Sequence, residues 1–218
     1  MVDLFNLPIS TVYGQTIPKK MFDAHLSYKQ KKILTDKISK MTWTHKLAPA
    51  TINLSGTYFA EIQIIHIELK REERISELLA VINKSVPYGV IFVMQFGDRF
   101  YLSASAKHPH PTLADTSVLD WEFVSEWFAA VDNTFRLNLR ESLDAVFFDL
   151  CKQLSAFASK EVDSMTELIE KSSKLFQLRK DINKLRSAIS SCKQFNKKVE
   201  LNLELKRAVQ VMDKLINM

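Results

Sequence analysis

Glycine and proline are scarce in this 218-residue chain, and both are confined to its first half. The four glycines and six prolines all lie at or before Pro111. Residues 112–218 therefore contain neither of the residues that most readily interrupt a helix. This distribution predicts strands and turns in the first half of the chain and mostly helix in the second half.

Cysteine and long apolar runs are also scarce. Cys151 and Cys192 are the two cysteines, and their spacing forms neither a CxxC pair nor a disulfide framework. The apolar runs are far shorter than the roughly 20 residues that cross a bilayer. The N-terminal residues do not form a signal-peptide pattern. We therefore expect a cytoplasmic protein with no membrane partner.

The charge is divided into segments rather than spread evenly. The net charge of +5 conceals a +6 segment at residues 19–60, a −6 segment at 112–150 and a second +6 segment at 151–218. Such segments can attract one another within a fold or between subunits. They can also give separate surfaces to a nucleic acid and to a protein partner. Solvated helix surfaces are the simpler interpretation, and we favour it.

The apolar pattern of the first half predicts a β-α-β-β unit. A strand at 61–70 has apolar residues on both faces, which is typical of a covered central strand. A helix at about 72–85, a β-prone run at 88–96 and a returning strand at 100–106 follow it. A right-handed crossover would make the first two strands parallel. A further edge strand is predicted at 117–124.

Two more helices are predicted from capping residues. Ser27 is placed to cap a helix that runs to about residue 41, with Ile38 and Met41 on its apolar stripe. Asn138 and Glu141 form a capping-box pattern that would open a second helix.

The last sixty or so residues carry a heptad pattern typical of a coiled coil. After about residue 200 the phase of the pattern shifts, which indicates either a stutter in one long helix or the turn of an antiparallel hairpin. We favour the hairpin, because a long unpartnered helix would leave its apolar stripe in water. The predicted seam is Leu175, Leu178, Ile182, Leu185, Ile189, Cys192, Asn196 and Val199.

Together these elements predict an α+β fold in two parts. Residues 1–158 would form a small mixed β-sheet with a β-α-β-β core and packed helices. Residues 159–218 would form a coiled-coil or antiparallel helical-hairpin arm, which is the predicted contact for a protein partner or for a second copy of the chain.

Glu68-x-Lys70, at the end of the 61–70 strand, has the spacing of many metal-dependent nuclease sites. Glu68 would bind a divalent metal and Lys70 would stabilise charge on the phosphorane. A second carboxylate is usually supplied by the preceding strand, yet residues 37–60 contain no acid. We therefore favour a structural strand end. The sequence contains no P-loop, GxSxG or GxGxxG pattern and no metal-ligand set, so we expect no cofactor.

A lysine-rich surface is predicted on the helix that Ser27 would cap. Lysines of this kind can follow a phosphate backbone, and a nearby tryptophan can stack on a base. A solvated helix beside an inward-packed tryptophan is the favoured alternative, because arginine-rich patches on one face are the more persuasive signal. The candidate contacts are Lys29, Lys31, Lys32, Lys37, Lys40 and Trp43.

The run QFNKKVELN at 194–202, followed by Glu204, Leu205 and Lys206, orders polar residues in a way that helicity alone does not require. Pro18-Lys19-Lys20 and residues 46–54, 67–70 and 86–98 carry further matches. On these segments the chain resembles the prokaryotic family named domain of unknown function 4391, over nearly its whole length. The resemblance supplies no catalytic residues. It implies a companion of DNA methyltransferases and helicases in restriction-like or phage-defence systems.

The favoured hypothesis is a non-enzymatic bacterial cytoplasmic protein of that kind of system. Its arm would bind a protein partner, such as a helicase or methyltransferase, or a second copy of itself. One alternative is a metal-dependent nuclease-like enzyme centred on Glu68 and Lys70. The other is a nucleic-acid-binding subunit that uses the lysine-rich helix.

Overall fold

A computed structural model describes residues 3–110, 112 and 116–217 of the chain. Its internal contacts divide the chain into two compact units, residues 1–155 and residues 156–218. The first unit, which we call the sheet unit, contains a seven-stranded sheet and four helices among its described residues. The second unit, which we call the arm, contains two long helices among the residues described.

The strands form one mixed sheet in the order β1-β2-β3-β4-β5-β6, with the short β7 also paired to β5. β3 and β4 are parallel, and every other pair is antiparallel. The strands are β1 (Val12–Thr16), β2 (Ile38–Leu47), β3 (Ile62–Leu69), β4 (Gly89–Phe96), β5 (Arg99–Pro109), β6 (Ser117–Val124) and β7 (Phe128–Ala129). The predicted α+β class, its β-α-β-β core and the edge strand at 117–124 are confirmed.

Four of the six described helices belong to the sheet unit, and two belong to the arm. They are α1 (Tyr28–Lys37), α2 (Pro49–Ile52), α3 (Ser76–Lys84), α4 (Leu143–Gln153), α5 (Met165–Ser191) and α6 (Phe195–Asn217). α3 is the crossover between the parallel strands β3 and β4, as predicted. The two helices of the arm pack against each other.

The predicted helix from Ser27 to about residue 41 is wrong in its last four residues, which begin β2. Ser27 does cap α1, through a capping box with Gln30, but the helix ends at Lys37. Ile38 and Met41 are buried on β2, where they pair with Leu69 and Ile67 of β3. β3 is therefore hydrogen-bonded to β2 along one edge and to β4 along the other. This interior position agrees with the prediction of a central strand, which rests on its apolar residues on both faces.

One face of the sheet packs against α1 and α3, and we call it the α1 face. It carries Ile65, Ile67 and Phe92, which form a single buried cluster with the apolar residues of the two helices. Leu34 of α1 and Leu79 of α3 are 2% and 1% exposed. Burial of each such side chain stabilises the fold by about 1.5–3 kcal/mol.

The opposite face, which we call the α4 face, carries Ile62, Ile64 and Val93. α4 packs over this face through Phe147, whose ring lies 4.6 Å from that of Phe59. Gly89 permits this close approach, because a Cβ there would lie 3.2–3.4 Å from the side chains of Ile62, Phe59 and Phe147.

The predicted capping box at Asn138 and Glu141 is wrong. Ser142, not Asn138, caps α4, and its hydroxyl accepts a hydrogen bond from the Ala145 backbone N–H. The preceding residue, Glu141, has φ of 62°, in the left-handed region. A residue with this φ is not helical, so α4 cannot begin at Asn138 and run through Glu141.

Candidate functional site

Glu68 lies on β3 between a lysine and a glutamine. The strand register places Lys40 of β2 on one side of it and Gln95 of β4 on the other. Neither neighbour is the second carboxylate that a two-carboxylate metal site requires. Across residues 3–110, 112 and 116–217, no group of three or more His, Cys, Asp and Glu side chains has the geometry to hold a metal ion.

Lys70 follows the end of β3, and its contacts are to α1. Its Nζ donates a hydrogen bond of 2.8 Å to the Thr35 carbonyl, and its backbone N–H donates one of 2.8 Å to the Lys37 carbonyl. A cation that binds the last carbonyls of a helix interacts favourably with the helix dipole. These contacts give Lys70 a structural role in joining α1 to β3.

The predicted lysine-rich surface is divided between different parts of the sheet unit. Lys29, Lys31 and Lys32 lie on α1, but Lys40 lies on β2. Lys37 forms an ion pair of 2.6 Å with Glu73. The three α1 lysines are thus the part of the predicted surface that remains together on one helix.

Trp43 projects from the opposite sheet face to Lys40. Lys40 pairs with Glu68 and Trp43 pairs with Ile65, and residues 65 and 68 of one strand point to opposite faces. The Trp43 ring packs against Tyr13, with 3.9 Å between the centroids, and its Nε1 donates to the His45 carbonyl. Trp43 and Lys40 therefore do not contribute to one continuous surface.

The predicted seam continues only as far as the end of α5. Leu175 and Ile182 are buried on α5, and Leu178, Leu185 and Ile189 are half-buried. Asn196 and Val199, the last two predicted seam positions, are exposed on α6. The chain leaves α5 at Cys192 and begins α6 at Phe195, so the break comes before the phase shift that the sequence shows near residue 200.

α6 has two apolar stripes. We call the first the inner stripe; its members are half-buried and comprise Leu201, Leu205, Ala208, Met212 and Leu215. The second, which we call the outer stripe, consists of Phe195, Val199 and Leu203, which are 79%, 46% and 53% exposed. At 100° per residue the centres of the two stripes lie roughly 160° apart around the helix. The outer stripe is therefore on the opposite side of α6.

The segment that contains the outer stripe is rich in basic residues. The segment 193–207 contains five of them, and they are Lys193, Lys197, Lys198, Lys206 and Arg207. Glu200 and Glu204 are the acids of the same segment, which leaves a net charge of +3. The outer stripe is thus a short apolar row in a segment of positive net charge.

Lys107 is the buried cation of the sheet unit that sequence analysis missed. It is 4% exposed, and its Nζ donates to the Asn83 carbonyl, the Asn83 Oδ1 and the Val86 carbonyl at 3.0, 2.7 and 2.6 Å. Burial lowers the pKa of Lys107 to about 7. The three acceptors lie at the C-terminal end of α3, so Lys107 joins that end of the helix to β5.

The sequence contains a pattern that predicts the outer stripe. It was missed because two of the three residues also fit the heptad pattern. Val199 is a predicted seam position, and Leu203 follows it at the seam spacing of four, so the heptad pattern places both in a coiled-coil core. Phe195, four residues before Val199, does not fit the seam but does fit an i, i+4, i+8 row on one side of a helix. A second apolar row on the same helix is the pattern that indicates an exposed contact surface.

Comparison with known proteins places the chain in a family. None of the helices in the described residues is long and apolar enough to span a membrane. No curated protein and no solved structure matches the chain. The sequence model described as "Domain of unknown function (DUF4391)" matches residues 5–211, which confirms the resemblance seen in the sequence. The chain therefore belongs to the DUF4391 family.

Proposed function

We propose that this protein is a non-enzymatic interaction protein that binds a protein partner through the outer stripe of its arm. The observation that carries the proposal is the exposure of Phe195, Val199 and Leu203 in one row on α6. Exposed apolar residues that occur singly need no explanation, but a contiguous row on one helix is typical of a binding surface.

The outer stripe suits a helical or extended partner segment. Its three side chains repeat every four residues and span about 12 Å along the helix axis. This is the anchor spacing with which a helix docks into a groove. Phe195 is the expected principal anchor, because buried aromatic residues contribute most to binding in many interfaces.

The charge around the outer stripe favours an acidic partner rather than a second copy of the chain. Two copies that met through this surface would bring two segments of net charge +3 together, which opposes association. A partner with apolar anchors and acidic flanks would instead be attracted. Binding to such a partner should weaken as the salt concentration rises.

The family resemblance suggests the biological setting of this proposal. Companions of DNA methyltransferases and helicases in DNA-modification or phage-defence systems require subunit contacts, and the outer stripe would supply one. In this proposal the partner is an acidic segment of such an enzyme, the protein acts in the bacterial cytoplasm, and it uses no cofactor of its own.

Affinity capture followed by reconstitution tests the proposal. The full chain with a removable tag is used to capture proteins from its native cells, and each captured protein is then purified and remixed with the chain. We expect a stable complex by light scattering that is lost in the triple variant Phe195→Ser, Val199→Ser, Leu203→Ser. The matched control is Val211→Ser, since Val211 is 44% exposed on the same helix but roughly 120° away from the stripe.

Two results would contradict this function. One is a reconstituted complex that the triple variant forms as well as the wild type. The other is a pure protein that self-associates through the stripe, with association abolished by the triple variant.

A second candidate function rests on the N-terminal part of α1. Lys29 lies in the first helical turn, where the helix dipole disfavours a cation, and that turn contains no acidic residue. With Lys32, three residues further on and also exposed, it forms a short basic surface that would contact phosphates of a nucleic acid, whereas Lys31 lies roughly 160° from Lys29 around the helix. Changing all three residues to Glu should abolish duplex binding and its salt dependence, whereas Lys84→Glu on α3 should not.

A further inference from the structure

A shallow groove, which we call the α5 groove, lies on the side of α5 away from the seam. Every residue that lines it is exposed. At 100° per residue these positions cover an arc of roughly 140°, and the buried seam residues Leu175 and Ile182 lie roughly 120° from its centre. The lining residues are Phe176, Arg179, Lys180, Asn183, Lys184 and Ser187.

The segment that forms the α5 groove is positively charged. Residues 176–187 contain four basic residues and one acid, Asp181, which leaves a net charge of +3. Asp181 lies roughly 130° from the centre of the groove. Its carboxylate already accepts hydrogen bonds of 2.9 and 3.0 Å from the Gln177 amide, and it lies 3.6 Å from Lys184. The one acid of the segment is therefore outside the groove.

Two of the four cations are arginines on one side of the helix. Arg179 and Arg186 are seven residues apart, so they lie roughly 20° apart around α5 and about 10 Å apart along its axis. Both are exposed, as is Lys180, and none of the three forms an ion pair within the described part of the chain. Because a planar guanidinium can bind two oxygens of one phosphate, these cations suit a chain of phosphates.

An aromatic ring and an amide lie among these cations. Phe176 is 59% exposed, and Arg179 and Lys180 follow it at the spacings of three and four that make residues neighbours on a helix surface. Asn183 lies on the same side of the helix, and its side-chain amide can donate and accept hydrogen bonds. An exposed ring beside cations is the arrangement in which a base stacks while its phosphates bind the basic side chains.

The six lining residues favour a single-stranded nucleic acid over two other polyanions. An acidic protein segment usually binds through several apolar anchors, yet Phe176 is the one apolar residue among the six. A duplex keeps its base faces stacked inside the helix, where a phenylalanine ring cannot reach them. A single strand offers both phosphates and unstacked bases.

We propose that the α5 groove binds single-stranded nucleic acid. One base stacks on the ring of Phe176, and the neighbouring phosphates bind Arg179, Lys180 and Arg186. The groove spans about 16 Å along the helix axis, from Phe176 to Ser187, so it contacts a short stretch of the strand. This site is separate from the proposed protein contact, because the outer stripe is on α6.

Fluorescence anisotropy with the full chain and labelled probes tests the proposal. The probes are a short single-stranded DNA of mixed sequence, the RNA of the same sequence, and a polyglutamate peptide as the acidic protein control. We expect at least one of the two strands to bind saturably, with an affinity that falls steeply as the salt concentration rises. Polyglutamate should bind about tenfold more weakly or not at all.

Two charge variants locate the site. Arg179→Glu with Lys180→Glu should weaken binding of the single strand about tenfold or more and reduce its salt dependence. Lys174→Glu with Lys214→Glu changes the net charge equally at exposed residues of the arm, and Lys174 lies roughly 160° around α5 from Phe176. This control should weaken binding less than about threefold, because charges outside the site are screened.

Phe176→Ser separates stacking from charge. It should weaken binding of the single strand about fivefold or more and leave the salt dependence unchanged, since it removes a ring and no cation. All the substituted residues are exposed, so circular dichroism should show unchanged helix content in each variant.

Four outcomes would overturn the proposal. The first is that neither strand binds, and the second is an equal loss in the two charge variants, which would indicate binding by net charge alone. The third is polyglutamate binding as tight as that of the strands, which would indicate a surface for an acidic protein. The fourth is unchanged binding in Phe176→Ser. Every variant keeps the outer stripe intact, so these outcomes do not depend on whether a protein binds there.

Discussion

Asp144 binds three consecutive backbone N–H groups. Its carboxylate accepts hydrogen bonds from Thr57, Tyr58 and Phe59 at 2.7–3.1 Å, and it lies in the first turn of α4. These bonds attach the loop that precedes β3 to the helix that covers the sheet. Charge-assisted bonds of this kind are among the stronger ones in proteins.

We therefore expect Asp144→Asn to lower the free energy of unfolding by about 1–3 kcal/mol, because the amide can accept fewer of these bonds and lacks the charge. Urea denaturation measures the change. Asp132→Asn, at an exposed acid of the same unit, is the control and should change stability by less than about 0.5 kcal/mol. If both substitutions lowered the free energy of unfolding equally, the role of Asp144 in attaching residues 57–59 to α4 would be contradicted.

Lys107 should make stability depend on pH. Its pKa is about 7 in the folded chain and near its ordinary value of 10.5 when the chain is unfolded. Between these values the folded state binds fewer protons than the unfolded state, so stability rises with pH. Relative to Lys107→Met, the wild type should gain about 2–3 kcal/mol between about pH 6.5 and about pH 9.5. Thermal unfolding of both proteins at the two pH values provides the measurement, and a constant difference would refute the assignment.

Glu141 has a backbone conformation that favours glycine, with φ of 62°. Replacement by glycine should raise the free energy of unfolding by about 0.5–1 kcal/mol, since the left-handed conformation costs an L-residue more than it costs glycine. Glu141→Ala removes the same side-chain atoms but keeps the unfavourable Cβ, so it should produce no gain. Chemical denaturation of both variants distinguishes backbone strain from a loss of side-chain contacts.

The roles of single residues, such as those of Asp144 and Lys107, were the features least predictable from the sequence. Glu68 and Lys70 attracted attention because of their spacing, yet the structure pairs Glu68 with Lys40 and Gln95 and attaches Lys70 to α1. Lys107 showed no sequence signal, because its burial depends on an α3 end that comes more than twenty residues earlier in the chain. Partners brought together by the fold are not encoded in local pattern.

At the scale of elements, β3 to β6 were predictable from the sequence, and the first two strands were not. β3, β4 and β5 have strong apolar patterns, and each was predicted close to its observed bounds. β2 was missed because register shifts between Ile38 and Lys40, and between Trp43 and His45, interrupt its period of two. β1 was missed because all five of its residues are exposed, which leaves no apolar alternation.

The two stripes of α6 should respond differently to the same substitution. Leu205 belongs to the half-buried inner stripe, so Leu205→Ser should lower the free energy of unfolding by about 1–2 kcal/mol. Leu203 is 53% exposed on the outer stripe, and Leu203→Ser should change it by less than about 0.5 kcal/mol. Both substitutions cost the same helix propensity, so thermal unfolding followed by circular dichroism compares burial alone. Equal destabilisation would show that the outer stripe is structural.

At the scale of the whole molecule, the composition predicted which half of the chain carries the strands and which half is mostly helix. The absence of glycine and proline after Pro111 agrees with long helices in the arm, and the strands of the first half agree with the sheet unit. The family membership was also available from sequence, through polar residues such as those at 194–202. What composition could not give is the exposure of Phe195, which depends on where α5 ends and α6 begins.

Site-specific photo-cross-linking in the native cells tests the central claim most directly. A photoreactive benzoylphenylalanine replaces Val199 on the outer stripe, with the same replacement at Leu205 on the inner stripe as the control. The proposed function predicts that position 199 alone forms one discrete cross-link to a second protein, within an acidic segment identified by mass spectrometry. A position-199 product that contains only a second copy of this chain, or no product at all, would contradict it.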